Sequence, residues 1–531
     1  MTESIFLPVL KLSAFISCIA ILIDLYEQKL CLTFAKAFKS DCLCINDLKE
    51  KISIMLWRFI VIYTLVLFIL SVAVFFNLSL IFSVFLSLIL ICSFYAISYF
   101  KFKILHEPLV FSDLFLFKEV CRCPRFYFGY ISKVQWFFLF VVFSLLSSFV
   151  LIFESNFKLS VSVDSDRFLF YVYFFFIALI SIIVWMARTS KSFKFLRDKI
   201  EHKLDLIFKS DSCLAAAKFG VVLNFVIGIL AFIFKVRWQK SLYLHEEKFT
   251  RLISNLENSV GKDCIVLLQA ESFISLKDDD IKLSKGADLK GNLHLNYFGA
   301  YTMRTEFSVL TGIELNDLGP YASDPYKLAQ NVKISSIASA LKKQGFYSIC
   351  IHANSGLFFN RRMVMKNLGF DECIFSEELK AKGKEFNDSE IYKLVKERLT
   401  LARKKKERLF IFIISLDGHG PYKDLSQKNK SSLQVYKEKQ ISLCNGIESL
   451  KDGLGKDDCL FVYGDHIPPI KELIKDKNGY LNLRSVAKPC VMAYNIKYSS
   501  YMKSCFDSKD RLSLTSNDIN KLLLLQGDIH A

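Results

Sequence analysis

The apolar run Cys459-Leu460-Phe461-Val462 continues into Tyr463-Gly464-Asp465-His466, so two adjacent metal-binding side chains follow directly on a stretch that reads as a buried strand. The C-terminal end of such a strand is where α/β folds keep their chemistry. A second run of this kind, Cys264-Ile265-Val266-Leu267-Leu268-Gln269-Ala270, leads straight into Glu271-Ser272. Glu, Asp and His at the mouths of separate strands suit a divalent cation, whose usual protein ligands are carboxylate oxygens and neutral imidazole nitrogens. Between these two runs, Tyr301 to Gly312 offers the hydroxyls of Thr302, Thr305, Ser308 and Thr311. A hydroxyl is a weak nucleophile until a base or metal takes its proton, so a Thr beside a bound cation can become an attacking alkoxide. The same stretch also reads as a helix start with Thr302 or Thr305 as its N-cap, and spacing alone leaves both readings open.

The elements that must position these residues fall into two unlike parts. The chain has 531 residues with 51 Phe, and its mean hydropathy of +0.32 is too high for an ordinary soluble protein. Apolar stretches run over Ile54 to Phe76, Leu78 to Tyr99, Val134 to Phe153, Phe168 to Ala187 and Ala215 to Phe234. Each approaches the ~20 residues that a helix needs to cross a bilayer core. Ile5 to Ile23 is a further candidate; it carries Lys11 and reads as a span, an interfacial segment or an uncleaved anchor. Basic residues crowd the segments around Lys29 to Lys51, Lys101 to Lys133 and Arg188 to Lys209, which places these on the cytoplasmic side. Counting spans from there carries everything after about Arg237 outside the cytoplasm.

Beyond the last span, Leu242, Phe249, Leu252, Ile253 and Leu256 recur at helical spacing. Apolar β-like runs then follow at Cys264 to Gln269, Tyr347 to Ile351, Leu409 to Ser415, Cys459 to Tyr463 and Cys490 to Tyr494, alternating with helical patterns at Ile334 to Lys343, Asp388 to Lys404 and Val435 to Leu450. Such alternation predicts an α/β domain with a mainly parallel sheet. The expected organisation is an α-helical transmembrane bundle of five or six helices over residues 1–236, an amphipathic juxtamembrane helix within 237–262, and the α/β domain over 263–531. The net charge of +17 is spread over both parts, and Lys404-Lys405-Lys406 is short and lacks interleaved aromatics, so a nucleic-acid partner is not expected. Cys264, Cys350, Cys459 and Cys490 sit inside predicted strands and read as small buried hydrophobes.

Gln269-Ala270-Glu271-Ser272-Phe273, Thr302-x-x-Thr305-Glu306-Phe307, Phe359-Asn360-Arg361, His419-Gly420-Pro421-Tyr422 and Tyr463-Gly464-Asp465-His466 follow one another in the order and approximate spacing of lipoteichoic acid synthases and related membrane-anchored phosphoglycerol transferases. Glu107-Pro108-Leu109-Val110-Phe111-Ser112-Asp113-Leu114 also resembles this sulfatase-type membrane family, so the resemblance covers nearly the whole chain. It implies a domain similar to alkaline phosphatases and sulfatases, with one Mn2+ or Mg2+, or alternatively Zn2+, held by Glu271, Asp465, His466 and the nucleophilic hydroxyl. By motif register that hydroxyl is Thr302, with Thr305 as the fallback. Ala300-Tyr301 stands here in place of the Gly-Lys often found before the family's Thr. His419 and Arg361 match positions that contact the phosphoryl group and the substrate head group.

The implied reaction is transfer of a phosphoglycerol head group from phosphatidylglycerol, through a phosphothreonine intermediate, to an extracytoplasmic glycan or polymer. One alternative is a phosphoethanolamine transferase that uses phosphatidylethanolamine and acts on lipid A or a surface glycan by the same mechanism. A catalytically silent membrane scaffold is the other. A true sulfatase would need Cys or Ser in a Cys-x-Pro-x-Arg setting, and Cys123-Pro124-Arg125 has the wrong spacing.

Overall fold

The computed structural model describes residues 6–38, 48–75, 80–117, 212–234, 238–254, 262–275, 286–295, 301–381, 387–422, 430–474, 488–496 and 512–524, with scattered positions between 141 and 204. Residues 1–114 with 120–236 form one compact unit, and residues 115–119 with 237–531 form the other.

In the first unit, α1 (Phe6–Phe38), α2 (Leu48–Phe75) and α3 (Leu80–Leu105) contain stretches long and apolar enough to cross a membrane: Val9–Thr33, Leu48–Val72 and Phe82–Lys103. The α1 stretch, left between three readings by the sequence, is as apolar as that of α3. Val9, Ile16 and Ala20 on α1 pack with Ile62, Val66 and Leu70 on α2 and Tyr95 on α3, one stripe per helix. Phe15, Leu22, Trp57 and other large apolar side chains point outward instead. Helices that are apolar all round, with only one stripe packed, are what a lipid surround requires. The expected spans Val134 to Phe153 and Phe168 to Ala187 lie largely outside the described residues.

The expected span Ala215 to Phe234 is corrected. It is broken at Gly220 into α4 (Ser212–Phe219) and α5 (Val221–Ile233). The cause is a buried polar cluster. Asp24 on α1 accepts hydrogen bonds on Oδ1 from the amides of Val221 (2.9 Å) and Val222 (3.3 Å), capping α5 from outside its own chain segment. Its Oδ2 pairs with Arg58 of α2, whose Nε stands 2.8 Å away. Arg58 Nη1 donates to Gln28 Oε1 (2.7 Å), and Gln28 Nε2 donates to the Ala217 carbonyl (2.7 Å) at the end of α4. Both helix ends at the break are thus satisfied by side chains. Gly220 has φ of 78°, and a Cβ there would run into the Asp24 carboxylate and Arg58 guanidinium, so both backbone conformation and space call for glycine.

The second unit begins with α6 (Trp238–Ser254), which buries Phe249 and binds the Ser335 loop through Glu246, whose carboxylate accepts the Ser335 amide (2.8 Å) and hydroxyl (2.6 Å). Eight strands then make one mixed sheet in the order β4-β3-β5-β1-β6-β7-β2-β8. They are β1 (Cys264–Ala270), β2 (Leu289–His294), β3 (Phe346–His352), β4 (Glu372–Ile374), β5 (Arg408–Ile414), β6 (Asp458–Gly464), β7 (Cys490–Tyr494) and β8 (Leu512–Thr515). All pairings are parallel except those of β7 with β6 and β2. Strands β1, β6 and β7 are buried along their whole length, which is why they read as unbroken apolar runs. Three helices frame the site: α7 (Thr302–Thr311), α8 (Asp388–Lys405) and α9 (Ser432–Lys451). Their boundaries are chemical. Gly312, at φ of 75°, closes α7; the Asn387 side chain accepts the Glu390 amide at the start of α8; Ser431 and Gln434 form a capping box on α9.

The Asp24 cluster is testable. Removing one partner of a buried ion pair costs about 3–5 kcal/mol because the other charge is left unpaired, whereas replacing both by apolar groups is often near neutral. Asp24→Ala should therefore sharply lower the melting temperature of the detergent-solubilised chain. The double variant Asp24→Leu/Arg58→Leu should recover much of the loss.

Candidate active site

Strands β1 and β6 are hydrogen-bonded neighbours in parallel register, with Ala270 opposite Gly464. The next residues, Glu271 and Asp465, therefore emerge side by side at the same sheet edge. His466 follows Asp465. One ligand atom from each of Glu271, Asp465 and His466 lies within 4.8 Å of the others, and all three residues are buried. His466 Nε2 is 3.2 Å from Glu271 Oε1 and 3.4 Å from Asp465 Oδ2. The turn after β1 is held from several sides. Ser272, in a left-handed conformation at φ of 53°, donates its amide to Asp465 Oδ1 (2.7 Å) and its hydroxyl to Glu271 Oε1 (3.0 Å). Tyr436 of α9 donates to the Ser272 carbonyl (2.7 Å), and Tyr422 donates to Ser272 Oγ (3.2 Å).

The electrostatics of this group point to a cation. Burial and the neighbouring Glu271 charge push the Asp465 carboxyl up. Burial acts in the same direction on Glu271, but the His466 imidazole outweighs it and holds that carboxyl below the usual range. For His466, burial disfavours the positive form, yet the Asp465 and Glu271 carboxylates together raise it. Asp465 Oδ2 is buried and, apart from the 3.4 Å approach of His466 Nε2, meets no hydrogen-bond donor among the described residues. Two crowded carboxylates, one with an unsatisfied oxygen, next to an imidazole and a hydroxyl are a donor set that fits a divalent ion such as Mn2+, Mg2+ or Zn2+.

The hydroxyl is that of Thr302. It is the first residue of α7, with Tyr301 at the N-cap making no side-chain cap bond, so the N-cap reading of Thr302 or Thr305 does not hold. Thr302 Oγ1 donates to Glu271 Oε2 at 3.3 Å, which puts it beside the ligand group and at a helix N-terminus, where the backbone favours negative charge. Thr305, one turn further, is fully buried and donates to the Asp465 backbone carbonyl at 2.5 Å. It braces the backbone at Asp465.

His419 lies in the loop beyond β5, half-buried, with Nδ1 2.7 Å from the Gly420 carbonyl, and its charge bears on Glu271. Arg361, expected to meet the substrate head group, is only 2% exposed, and its guanidinium is engaged with Glu306, Nε at 3.3 Å from Oε1 and Nη2 at 3.2 Å from Oε2. Glu306 also accepts from Tyr326 and, at 3.2 Å, from Gln269 Nε2. A charge this deeply buried requires such a partner, and Glu306, three residues before Val309 on α7, supplies it. The sequence reading missed His352. It ends β3, is buried, and stands with Nδ1 2.8 Å from the Ile414 carbonyl of β5, at the same sheet edge as Glu271. Burial and the Arg361 charge hold it at about 3, so it is neutral. The signal was present, since Tyr347 to Ile351 is an apolar run that ends in a histidine, as the run before Asp465-His466 does.

Residues 264–518 match the family model Sulfatase. A Rhizobium meliloti protein described as a cyclic beta-1,2-glucan modification protein is 28% identical over 245 residues, 42% of this chain and 38% of that protein, so the chain spans well under half of its length. The capsular polysaccharide biosynthesis protein RkpI of the same organism is 27% identical over 410 residues, 71% of this chain and 72% of that one. Among solved structures, the Streptococcus pyogenes phosphoglycerol transferase GacH, in complex with sn-glycerol-1-phosphate, aligns over 55% of this chain and 83% of its own at 17% identity and a TM-score of 0.41. Residues 264–518, in which Glu271, Thr302, Asp465 and His466 gather at one sheet edge, match the Sulfatase family model, and among the described residues the chain also bears three helices long and apolar enough to cross a membrane.

Proposed function

We propose that the protein is a metal-dependent phosphotransferase that moves a phosphoglycerol head group from a membrane phospholipid to an extracytoplasmic glycan or polymer. The observation that carries this reading is Thr302 Oγ1 at a helix N-terminus, hydrogen-bonded to Glu271 within the Glu271-Asp465-His466 group. Two polysaccharide-related relatives support an acceptor of that class. The part read as anchor is 1–236, the link 237–262 and the catalytic part 263–531, outside the cytoplasm by the distribution of basic residues.

A phosphodiester repels nucleophiles, so the site must offer both an activated hydroxyl and compensation for charge. Glu271, Asp465, His466 and Thr302 would hold a divalent cation, which when bound would supply both, a lowered hydroxyl pKa and positive charge for the phosphoryl oxygens. Thr302 Oγ1 passes its proton to the Glu271 carboxylate that it hydrogen-bonds and attacks phosphorus, the bond to the diacylglycerol oxygen breaks, and a phosphothreonine diester remains, the same proton returning when Thr302 is released. His419 protonates the departing oxygen and later takes the proton of the acceptor hydroxyl, which attacks the same phosphorus and frees Thr302. The α7 N-terminus faces the anionic group throughout. Arg361 and Glu306 act from behind, fixing α7 against the end of β1 through Gln269.

Three outcomes are expected. In vesicles containing head-group-labelled phosphatidylglycerol or phosphatidylethanolamine, diacylglycerol release should require phosphatidylglycerol; release from phosphatidylethanolamine instead would name the other donor, and release from neither with Mn2+, Mg2+ or Zn2+ would remove the proposal. Thr302→Ala should lower turnover on the order of 10⁴-fold, as loss of a nucleophile does, and leave no labelled phosphothreonine peptide. Thr305→Ala should instead weaken metal affinity roughly 10- to 100-fold, measured by titration, because it frees the Asp465 backbone, and Thr305→Ser should restore it.

A further inference from the structure

Between the end of β5 and His419 the chain makes a tight turn whose position is set from both sides. On the site side, the Ser415 amide donates to the Gln269 carbonyl (3.0 Å) and Ser415 Oγ accepts the Glu271 amide (2.9 Å). A Cβ on Gly418 would collide with the Glu271 carbonyl. On the far side stands Asp388, the first residue of α8, buried to 1% exposure. Its Oδ2 accepts the amides of Leu416 and Asp417, both at 2.7 Å. Leu416 in turn accepts, on its carbonyl, the His419 amide at 2.9 Å. Asp417 is tied separately to α9, where Ser442 donates to its Oδ2 at 3.1 Å. A short covalent and hydrogen-bonded path thus runs from α8 to the His419 residue on one branch and to Glu271 on the other.

The surroundings of Asp388 are unusual for a group that serves stability alone. Among the described residues, its second oxygen, the Tyr392 hydroxyl one turn along α8, and both polar atoms of the Gln440 side chain on α9 are buried and meet no hydrogen-bond partner. Unsatisfied buried groups of this kind lower stability, and each calls for an explanation such as a bridging water or a functional constraint.

We propose that Asp388 is a positioning residue for the transfer reaction, gripping the 415–418 turn so that the His419 imidazole is held at the leaving oxygen. The proposal rests on the reading of His419 as the proton donor given above. Burial and the Asp417 charge push the Asp388 carboxyl up to about 7, so an amide at this position is a fair mimic. An asparagine oxygen can still accept both backbone amides, whereas alanine leaves them bare.

The test uses the full chain in vesicles and two diesters of different leaving group. The phospholipid that the wild-type protein turns over expels an alkoxide and needs a proton; a p-nitrophenyl phosphodiester of glycerol expels a phenolate and does not. Asp388→Ala should lower the first-turnover rate of diacylglycerol release roughly 100-fold, the scale of general acid catalysis, while changing the first-turnover burst of p-nitrophenolate, which precedes the step in which His419 acts as base, by less than about threefold. Asp388→Asn should stay within about threefold of wild type on both. His419→Gln should reproduce the alanine pattern, and adding Asp388→Ala to it should change nothing further, as groups acting as one unit do. Equal losses on the two diesters, or an asparagine variant as impaired as alanine, overturn the proposal. Hydrogen exchange gives a readout that needs no turnover: amides of 415–420 should exchange faster in Asp388→Ala and normally in Asp388→Asn, with β1 and β6 unchanged, and wild-type exchange in the alanine variant also overturns it. If the wild-type protein cleaves neither diester, the phosphotransferase reading fails, and hydrogen exchange alone decides the role of Asp388.

Discussion

Two carboxylates, Glu271 and Asp465, are forced together in a buried space because β1 and β6 are parallel neighbours with Ala270 opposite Gly464. The remaining features of the site follow from that juxtaposition. Like charges at this separation in a low-dielectric interior are costly unless hydrogen-bond donors and a positive group compensate. The Ser272 amide and hydroxyl, the His466 imidazole and the Thr302 hydroxyl all converge on these two carboxylates. An apolar sheet without the ligands would be more stable; with them, the edge stores a demand for a cation.

The sheet itself was largely legible in the chain. Five apolar runs correspond to β1, β3, β5, β6 and β7, and the helical patterns at Ile334 to Lys343, Asp388 to Lys404 and Val435 to Leu450 correspond to helices Ile337–Lys343, Asp388–Lys405 and Ser432–Lys451. Strands buried on both faces must be apolar at every position, and that is what makes them readable. β2, β4 and β8 escaped notice because they lie towards the sheet edges. Leu289-Lys290-Gly291-Asn292-Leu293-His294, for example, is half polar, and only Leu289 and Leu293 are fully buried. The broken span at Gly220 was hidden for a different reason. Composition registers twenty apolar positions but not a capping carboxylate that arrives from another helix, Asp24, far away in sequence.

At the site, residues whose backbone positions alone place them were legible. Glu271, Asp465 and His466 sit where a strand ends, and Thr302 where a helix begins, so order along the chain was enough to nominate them. Arg361 was harder, because the side chain that decides its environment, Glu306, belongs to the Thr302 helix and is linked onward to Gln269 and Tyr326. These four groups form a buried network that runs on through the Gln269 amide oxygen to the Tyr463 hydroxyl of β6. Its consequence is mechanical: the strand bearing Glu271 and the helix bearing Thr302 are clamped to one another, so the short distance between the Glu271 carboxylate and the Thr302 hydroxyl is set by the fold itself.

Gly418 carries a consequence of its own. With no room for even a methyl group between it and the Glu271 carbonyl, the loop that presents the imidazole of His419 and the turn that presents the Glu271 carboxylate behave as one rigid piece. Any movement that widened this edge of the sheet would have to come from elements other than these two, because neither can shift without the other.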